Sequence, residues 1–600
     1  MSDYTPPLRD LRFVLNEVVD FSAVSALEGF EATTPDVVDA ILEEAGKLSS
    51  GVIGPTNATG DRAGSVFENG AARTPDGFRE AYRAFVDGGW GGLLFPEEIG
   101  GQGLPFTLAL AVMEMVTSAN MAFSLCPVLT MGAVEALMAH GDDRLKTLYL
   151  PKLASSEWAG TMNLTEPQAG SDVGALRMKA EPQADGSYRL KGTKIFITYG
   201  EHDLTDNIIH MVLARTPSGP PGTRGISLFL VPKFLVSEDG SLGARNDVHC
   251  VSLEEKLGIH ASPTAVLAYG ETDGAVGYLV GEEHKGMRCM FTMMNHARLL
   301  VGLQGLAIGD RAYRHALAYA KDRRQGRRAD TPNGESAPIV EHPDVRRMLL
   351  LMKSQVEAMR GLALSVGTAY DLARYHPDVA ERARQQGLVD LMTPVVKGWF
   401  TDTGVEIASL GVQVLGGMGF VEEAGAAQYF RDARIAPIYE GTNGIQALDL
   451  VTRKLGLDWG APFDHYMEDL RDAAASLAAT GDGDLQAIGK TLDKAASTVA
   501  ETGRWLREAL ARDPDDAAAG ATAFLRLFGI VAGGGALARA ALAAHRQLQD
   551  GSNEPDFYKG KIATARFYGD QVLAQAVALA GPVMCGAAPL YAFSADMLDL

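Results

Sequence analysis

Glu440 stands in the run Ile438-Tyr439-Glu440-Gly441-Thr442-Asn443, a single carboxylate between an aromatic residue and a glycine turn. Its flanks, Ala433-Arg434-Ile435-Ala436-Pro437 and Gly444-Ile445-Gln446, are mostly apolar, which suits a cleft better than open solvent. A carboxyl in apolar surroundings has its charged form disfavoured, and a pKa raised in that way makes a base that works near neutrality. The position also suits an ordinary helix start, since a helix opens near Asn443 and negative charge complements its dipole.

Five other runs carry polar or glycine chemistry. Thr165-Glu166-Pro167-Gln168-Ala169-Gly170-Ser171-Asp172 combines small residues with two polar groups at a turn, as a surface turn or as a place where backbone approaches a ligand. Lys194-Ile195-Phe196-Ile197-Thr198 reads as a strand from which Phe196 or Thr198 can face the same pocket. Asn295 and Arg298 share a helix face at i, i+3, and the arginine either holds a ligand's polar arm or is solvated. Asp322-Arg323-Arg324-Gln325-Gly326-Arg327-Arg328 ends a helix, where basic residues complement the dipole or bind phosphate through guanidinium forks. Gln413-Val414-Leu415-Gly416-Gly417-Met418-Gly419-Phe420 is a glycine-rich helix exit, either a C-cap with its loop or a site of close backbone approach. Gly533-Gly534-Gly535 follows no strand and lacks the dinucleotide spacing, so it belongs to close helix packing or a break between helices.

These residues sit on elements of two kinds. From Val37 to about Lys152 the apolar spacing is helical, and from Gly160 to Val280 it changes to short strands with a hairpin signal at Asp185-Gly186. Helical periodicity returns over Met287–Tyr319 and Asp344–Tyr370, and the alanine-rich remainder is helical again. The expectation is an α+β multidomain chain: an N-terminal arm and helical domain over 1–158, a small β-domain over 159–282, a helical bundle with Glu440 over 283–456 and an additional C-terminal helical domain over 457–600.

With 600 residues, 46% hydrophobic and 22% charged, the composition is that of a soluble globular protein. A formal charge of -21 argues against a nucleic-acid or anionic-membrane partner. Cys126, Cys250, Cys289 and Cys585 show no metal or redox spacing and read as buried thiols of a reducing cytoplasm. No secretory signal is visible, and the apolar stretch Phe528 to Ala544, interrupted by Arg539, makes a poor membrane span.

In their order and spacing these runs resemble the acyl-CoA dehydrogenase family over about residues 80 to 455. The resemblance begins at Phe95-Pro96-Glu97-Glu98-Ile99-Gly100-Gly101-Gln102-Gly103 and continues through Thr165 to Asp172 and Lys256-Leu257-Gly258-Ile259-His260-Ala261-Ser262-Pro263-Thr264. It closes with Arg431-Asp432-Ala433-Arg434-Ile435 leading into Tyr439-Glu440-Gly441-Thr442. It implies an FAD enzyme that makes a trans α,β double bond in an acyl-CoA, with Glu440 removing the α-proton and the flavin N5 taking the β-hydride.

By the same resemblance Met162, Asn163, Leu164, Thr165, Gly170, Ser171, Phe196, Ile197 and Thr198 flank the flavin, and Thr442 and Asn443 lie beside it. Ser171, Asn295, Arg298, Tyr439 and Gly441 fall where the family touches substrate. Arg323, Gln413, Gly416 and Gly417 fall where it binds a neighbouring subunit's FAD, which implies a homo-oligomer of at least two subunits. An electron-transfer flavoprotein is the implied acceptor, and no metal is implied. The family's phenylalanine after the arginine is missing from Arg323-Arg324-Gln325-Gly326. The N-terminal Pro7 to Leu15, the insert ending at Met348 and the helical tail resemble a long subgroup that includes 3-methylmercaptopropionyl-CoA and fatty acyl-CoA dehydrogenases. Met287, Met290, Met293 and Met294 cluster near Asn295 and either line an acyl pocket or fill the core. The substrate expectation is therefore 3-methylmercaptopropionyl-CoA or another short acyl-CoA. The alternatives are a longer-chain dehydrogenase, an acyl-CoA oxidase and a non-catalytic scaffold of this fold.

Overall fold

The computed structural model describes residues 4–328, 330 and 335–599. Its contacts divide the chain into two units, one of Met1–Glu43, Pro105–Glu114 and Val301–Leu600, the other of Glu44–Leu104 and Met115–Leu300.

The second unit holds an eight-stranded sheet whose neighbours run, in order, Val248–Leu253, Thr264–Tyr269, Tyr188–Thr198, Ala275–Val280, Ile226–Pro232, Ile208–Arg215 and Ala159–Asn163. Lys179–Pro182 pairs antiparallel with Tyr188–Thr198 across the Asp185-Gly186 turn, where Asp185 accepts from the Ser187 N–H at 3.0 Å. Ala159–Asn163 instead runs parallel to Ile208–Arg215. Every residue of Ile226–Pro232 is buried, as a strand covered on both faces requires. Met178, Leu190, Val212, Phe229, Leu267 and Tyr269 belong to one core cluster. The helix Met121–His140 packs on the strand Ala159–Asn163, and Gly160 permits it, because a Cβ there would stand 2.5 Å from that of Ala133.

One element differs from the all-helical expectation for the N-terminal region. Val66–Glu68 and Ala71–Arg73 form a short antiparallel hairpin, turned by Asn69 and Gly70, both at positive φ. Asn-Gly is the residue pair that a tight hairpin turn favours, so the signal was in the sequence.

The first unit is helical. Pro343–Tyr375 and Val379–Leu415 pack together, and the C-terminal helices Ala461–Ala478, Gly483–Arg512, Pro514–Gln549 and Pro555–Tyr568 form the added layer. The glycine run lies inside Pro514–Gln549 and serves packing: a Cβ at Gly533 would meet Trp399 at 2.5 Å, at Gly534 Leu573 at 2.9 Å and at Gly535 Leu470 at 2.3 Å. This helix and Met121–His140 are long and apolar enough to cross a membrane, and most of each is buried within the protein.

The N-terminal helix Leu8–Phe13 is tied in by charge. Asp10 pairs with Arg360 and Lys561, and fully buried Arg360 also meets Glu114 and, at 3.1 Å, Asp310. Burial acts to raise the Asp10 carboxyl, but the Lys561 and Arg360 charges outweigh it and hold the group well below its ordinary range. Cys126, Cys250 and Cys289 are buried as expected; Cys585 is exposed, because the short C-terminal helix that ends at Met584 leaves it on the surface.

Candidate active site

Glu440 lies on a turn of unusual backbone. Its φ is +55° and that of Gly441 is +84°, two successive left-handed residues, which for a non-glycine residue costs roughly 1–2 kcal/mol. Such conformations persist where surroundings impose them, and they concentrate at functional sites. The side chain is half-buried. Thr442 caps the helix Asn443–Asp449 by accepting from the Ile445 N–H at 3.3 Å, so the predicted helix start is where the sequence put it.

The support beneath this turn is polar and buried. Lys397 Nζ donates to the Gly441 carbonyl at 2.7 Å and to Asn443 Oδ1 at 2.9 Å. Asn443 Nδ2 donates to the Gly398 carbonyl, Thr401 Oγ1 and Asp402 Oδ1 at 2.7–3.0 Å. Gln446 Nε2 donates to the Glu440 carbonyl at 3.3 Å. The Tyr439 hydroxyl donates to Gln304 Oε1. Burial first, and then the charge of Glu440, push Tyr439 above its ordinary pKa, so it stays a neutral phenol.

The residues singled out in the second unit are held by another buried pair. Lys194 Nζ donates to Glu166 Oε1 at 2.9 Å and to the Leu164 carbonyl at 2.8 Å; Glu166 also accepts from the Arg177 and Met178 N–H groups at 2.7 and 3.1 Å. Burial lowers Lys194 to about 8. Burial acts to raise Glu166, and the Lys194 charge with the Arg177 N–H brings it below its ordinary value. The Ile195 N–H donates to the Thr165 carbonyl at 3.0 Å, so the Met162–Thr165 segment and the Phe196–Thr198 segment are side by side.

Within these segments the side chains divide by availability. Phe196 is 58% exposed at φ +59°. Met162, Leu164, Thr165 and Thr198 are half-buried, and Gly170 and Ser171 are exposed. Ile197 points into the sheet core, and Asn163 is engaged with Thr161 and Tyr269, so each offers a ligand only its backbone. Asn443 is committed in the same way to its own unit. Arg298 is buried and stacks on Phe291 with 5.7 Å to the ring centroid, while Asn295 is exposed. Met290, Met293 and Met294 are buried, and a Cβ at Gly132 would meet Met293 at 2.9 Å.

Gly416 caps the helix Val379–Leu415 at φ +61°, which settles the local role of that glycine as a C-cap. Gln413, Gly416 and Gly417 are exposed, and nothing lies within 4 Å of a Cβ built at either glycine. Arg323 is exposed just past the end of the helix Gly286–Asp322.

The sequence reading did not single out Lys397, Gln304 or Gln446. Lys397 had a signal, a lone charge in the apolar run Pro394-Val395-Val396-Lys397-Gly398-Trp399-Phe400. Gln304 had none, because its partner Tyr439 lies 135 positions away; Gln446 reaches back only six positions, to the Glu440 carbonyl, within the same motif.

Three successive families match the chain: "Acyl-CoA dehydrogenase, N-terminal domain" over residues 61–157, "middle domain" over 161–270 and "C-terminal domain" over 284–455. "Acetyl-CoA dehydrogenase C-terminal like" matches 463–594. A 3-methylmercaptopropionyl-CoA dehydrogenase of Ruegeria pomeroyi is 48% identical over 95% of this chain and 96% of its own. A butyryl-CoA dehydrogenase of Syntrophomonas wolfei is 37% identical over 94% of each chain. The crystal structure of an acyl-CoA dehydrogenase from Bacillus anthracis, complexed with FAD, shares the fold with a TM-score of 0.72 at 19% identity, over 99% of this chain and 94% of that one.

Proposed function

The chain belongs to the acyl-CoA dehydrogenase family, and from that premise we propose that it forms a trans α,β double bond in a short acyl-CoA, 3-methylmercaptopropionyl-CoA first and butyryl-CoA and similar chains next. The observation that carries the substrate choice is the 48% identity to the R. pomeroyi enzyme across nearly the whole of both chains, against 37% for the butyryl-CoA enzyme.

The family is FAD-dependent, and the residues present suit that cofactor. Phe196 presents an exposed ring from a left-handed backbone position, a surface that a planar ring system would cover. Thr165 and Thr198 add hydroxyls, and Gly170 with Ser171 lies exposed at a bend. When bound, FAD supplies the acceptor for the β-hydride.

The protein's own work is proton transfer and orientation. Glu440 accepts the α-proton. Its backbone N–H donates to the thioester carbonyl oxygen, which acidifies the α-carbon where charge develops. The neutral Tyr439 phenol, tied to Gln304, walls the base without competing for its proton. Ser171, Asn295 and Arg298 are assigned to the acyl-CoA, and Thr442 to the cofactor's side of the turn.

An electron-transfer flavoprotein as acceptor, a homo-oligomer and a cytoplasmic location complete the reading. Exposed Gln413, Gly416 and Gly417, followed by Phe420 at 88% exposure, support a subunit contact there, and four free thiols support a reducing compartment.

Glu440→Gln keeps shape and hydrogen bonding while removing the proton acceptor. FAD should stay bound while kcat falls by about 10² or more; near-normal turnover would refute the assignment. The substrate is decided by kcat/KM from butyryl-CoA to palmitoyl-CoA with 3-methylmercaptopropionyl-CoA included. A palmitoyl-CoA value well above the short-chain values would make this a long-chain enzyme, and peroxide formed in step with turnover would make it an oxidase.

A further inference from the structure

We propose that Lys397 is a positioning residue for proton abstraction, a buried clamp that sets the height and direction of Glu440; the inference rests on Glu440 being the base. Lys397 is wholly buried in the middle of the helix Val379–Leu415. A buried ammonium is costly unless its protons are well used. Two of them reach one and three residues past Glu440, to the Gly441 carbonyl at 2.7 Å and Asn443 Oδ1 at 2.9 Å.

Those bonds act on a stretch that local backbone preference alone would not hold. Glu440 and Gly441 are both left-handed, a conformation that glycine adopts freely but that disfavours Glu440 in a free chain. Lys397 holds the carbonyl at the end of that pair. Gln446 holds the Glu440 carbonyl, and the Asn443 N–H returns to the Pro437 carbonyl at 3.0 Å. The turn is thereby fixed on both sides of the carboxylate, together with the Glu440 N–H assigned to the thioester.

Lys397 is itself held from behind. Trp399, two residues on, sits against Gly529 and Gly533 of Pro514–Gln549, and that same helix packs on Asn443–Asp449. The added C-terminal layer therefore backs both ends of the clamp, the lysine and the residue it grips. This gives the extra domain a task in catalysis that involves no contact with substrate.

The test separates proton transfer from oxidation by using acetyl-CoA, which has α-hydrogens and no β-carbon. Its α-hydrogens can pass to Glu440 and be replaced from deuterium oxide, and no hydride can leave. Exchange is followed by mass spectrometry on the FAD-loaded enzyme, with steady-state turnover of a short acyl-CoA measured alongside. In Lys397→Met, exchange and kcat should both fall about 10–100-fold, the scale on which small misplacements of reacting groups act. KM should stay within about threefold and bound FAD per chain should be unchanged. Asn443→Ser, which removes one of the two acceptors and leaves the lysine, should show a smaller loss of the same kind, and it carries the test if Lys397→Met does not fold. Wild-type exchange in whichever variant folds overturns the proposal, as does a fall in kcat that only follows loss of FAD. Glu440→Gln is the control: if it still exchanges, the base assignment fails, whereas lost exchange there with normal exchange in the lysine and asparagine variants sinks the clamp alone.

Discussion

Gly529→Ala and Gly560→Ala should move stability in opposite directions, although both replace a glycine inside a helix. A Cβ at Gly529 would stand 2.3 Å from Trp399 Cγ and 2.4 Å from Trp399 Cβ, far inside van der Waals contact. The indole has nowhere to retreat: it is 3% exposed, and its far edge already faces Gly533, where a Cβ would be 2.5 Å from Cη2. Alanine in a helix gains about 1 kcal/mol over glycine, while overpacking a closed site costs about 1–3 kcal/mol and occasionally more. The clash involves the first two side-chain atoms of a fully packed ring, so the upper part of that range applies and the net loss is about 2 kcal/mol. At Gly560, inside Pro555–Tyr568, nothing lies within 4 Å of the new Cβ, and only the gain remains, about 0.5–1 kcal/mol. Urea denaturation of the two variants beside the parent protein reads both signs in one experiment. Gly529→Ala should also lose turnover through Trp399 and Lys397, and Gly560→Ala should not. Shifts of the midpoint in the same direction, or a Gly529→Ala protein as stable as its parent, would refute the packing argument.

Two further outcomes are expected. Asp371 accepts from the Phe106 and Thr107 N–H groups and from Thr107 Oγ1 at 2.6–2.9 Å, and burial raises it from 3.8 to about 6 against those bonds. A raised acid favours the folded state below the unfolded pKa and loses that contribution as pH rises through the folded value, so relative to Asp371→Asn the parent should lose about 3 kcal/mol between pH 3.8 and somewhat above 6; a difference that is flat across this window would contradict it. Dilution to monomer should release FAD, and Arg323→Ala should weaken FAD retention more than it weakens the fold; sedimentation that finds an active monomer with tightly held FAD would overturn the assembly reading.

The elements, and the carboxylate proposed as the base, stand out in the primary structure because their signals are local. Helical spacing marked Gly286–Asp322 and Pro343–Tyr375, β-branched runs marked Ile208–Arg215 and Ile226–Pro232, and an isolated carboxylate before a glycine marked Glu440. The Asn69-Gly70 hairpin was equally local and shows that such a signal is lost when the surrounding periodicity is helical. What holds the candidate site could not be read in that way. Lys397 reaches Gly441 across 44 positions, Tyr439 reaches Gln304 across 135 and Arg360 reaches Asp10 across 350. Local sequence sets backbone preference and apolar spacing, which act over a few residues. A buried polar group is satisfied by whatever the packing brings within about 3 Å, and that is decided only when the helices close on one another.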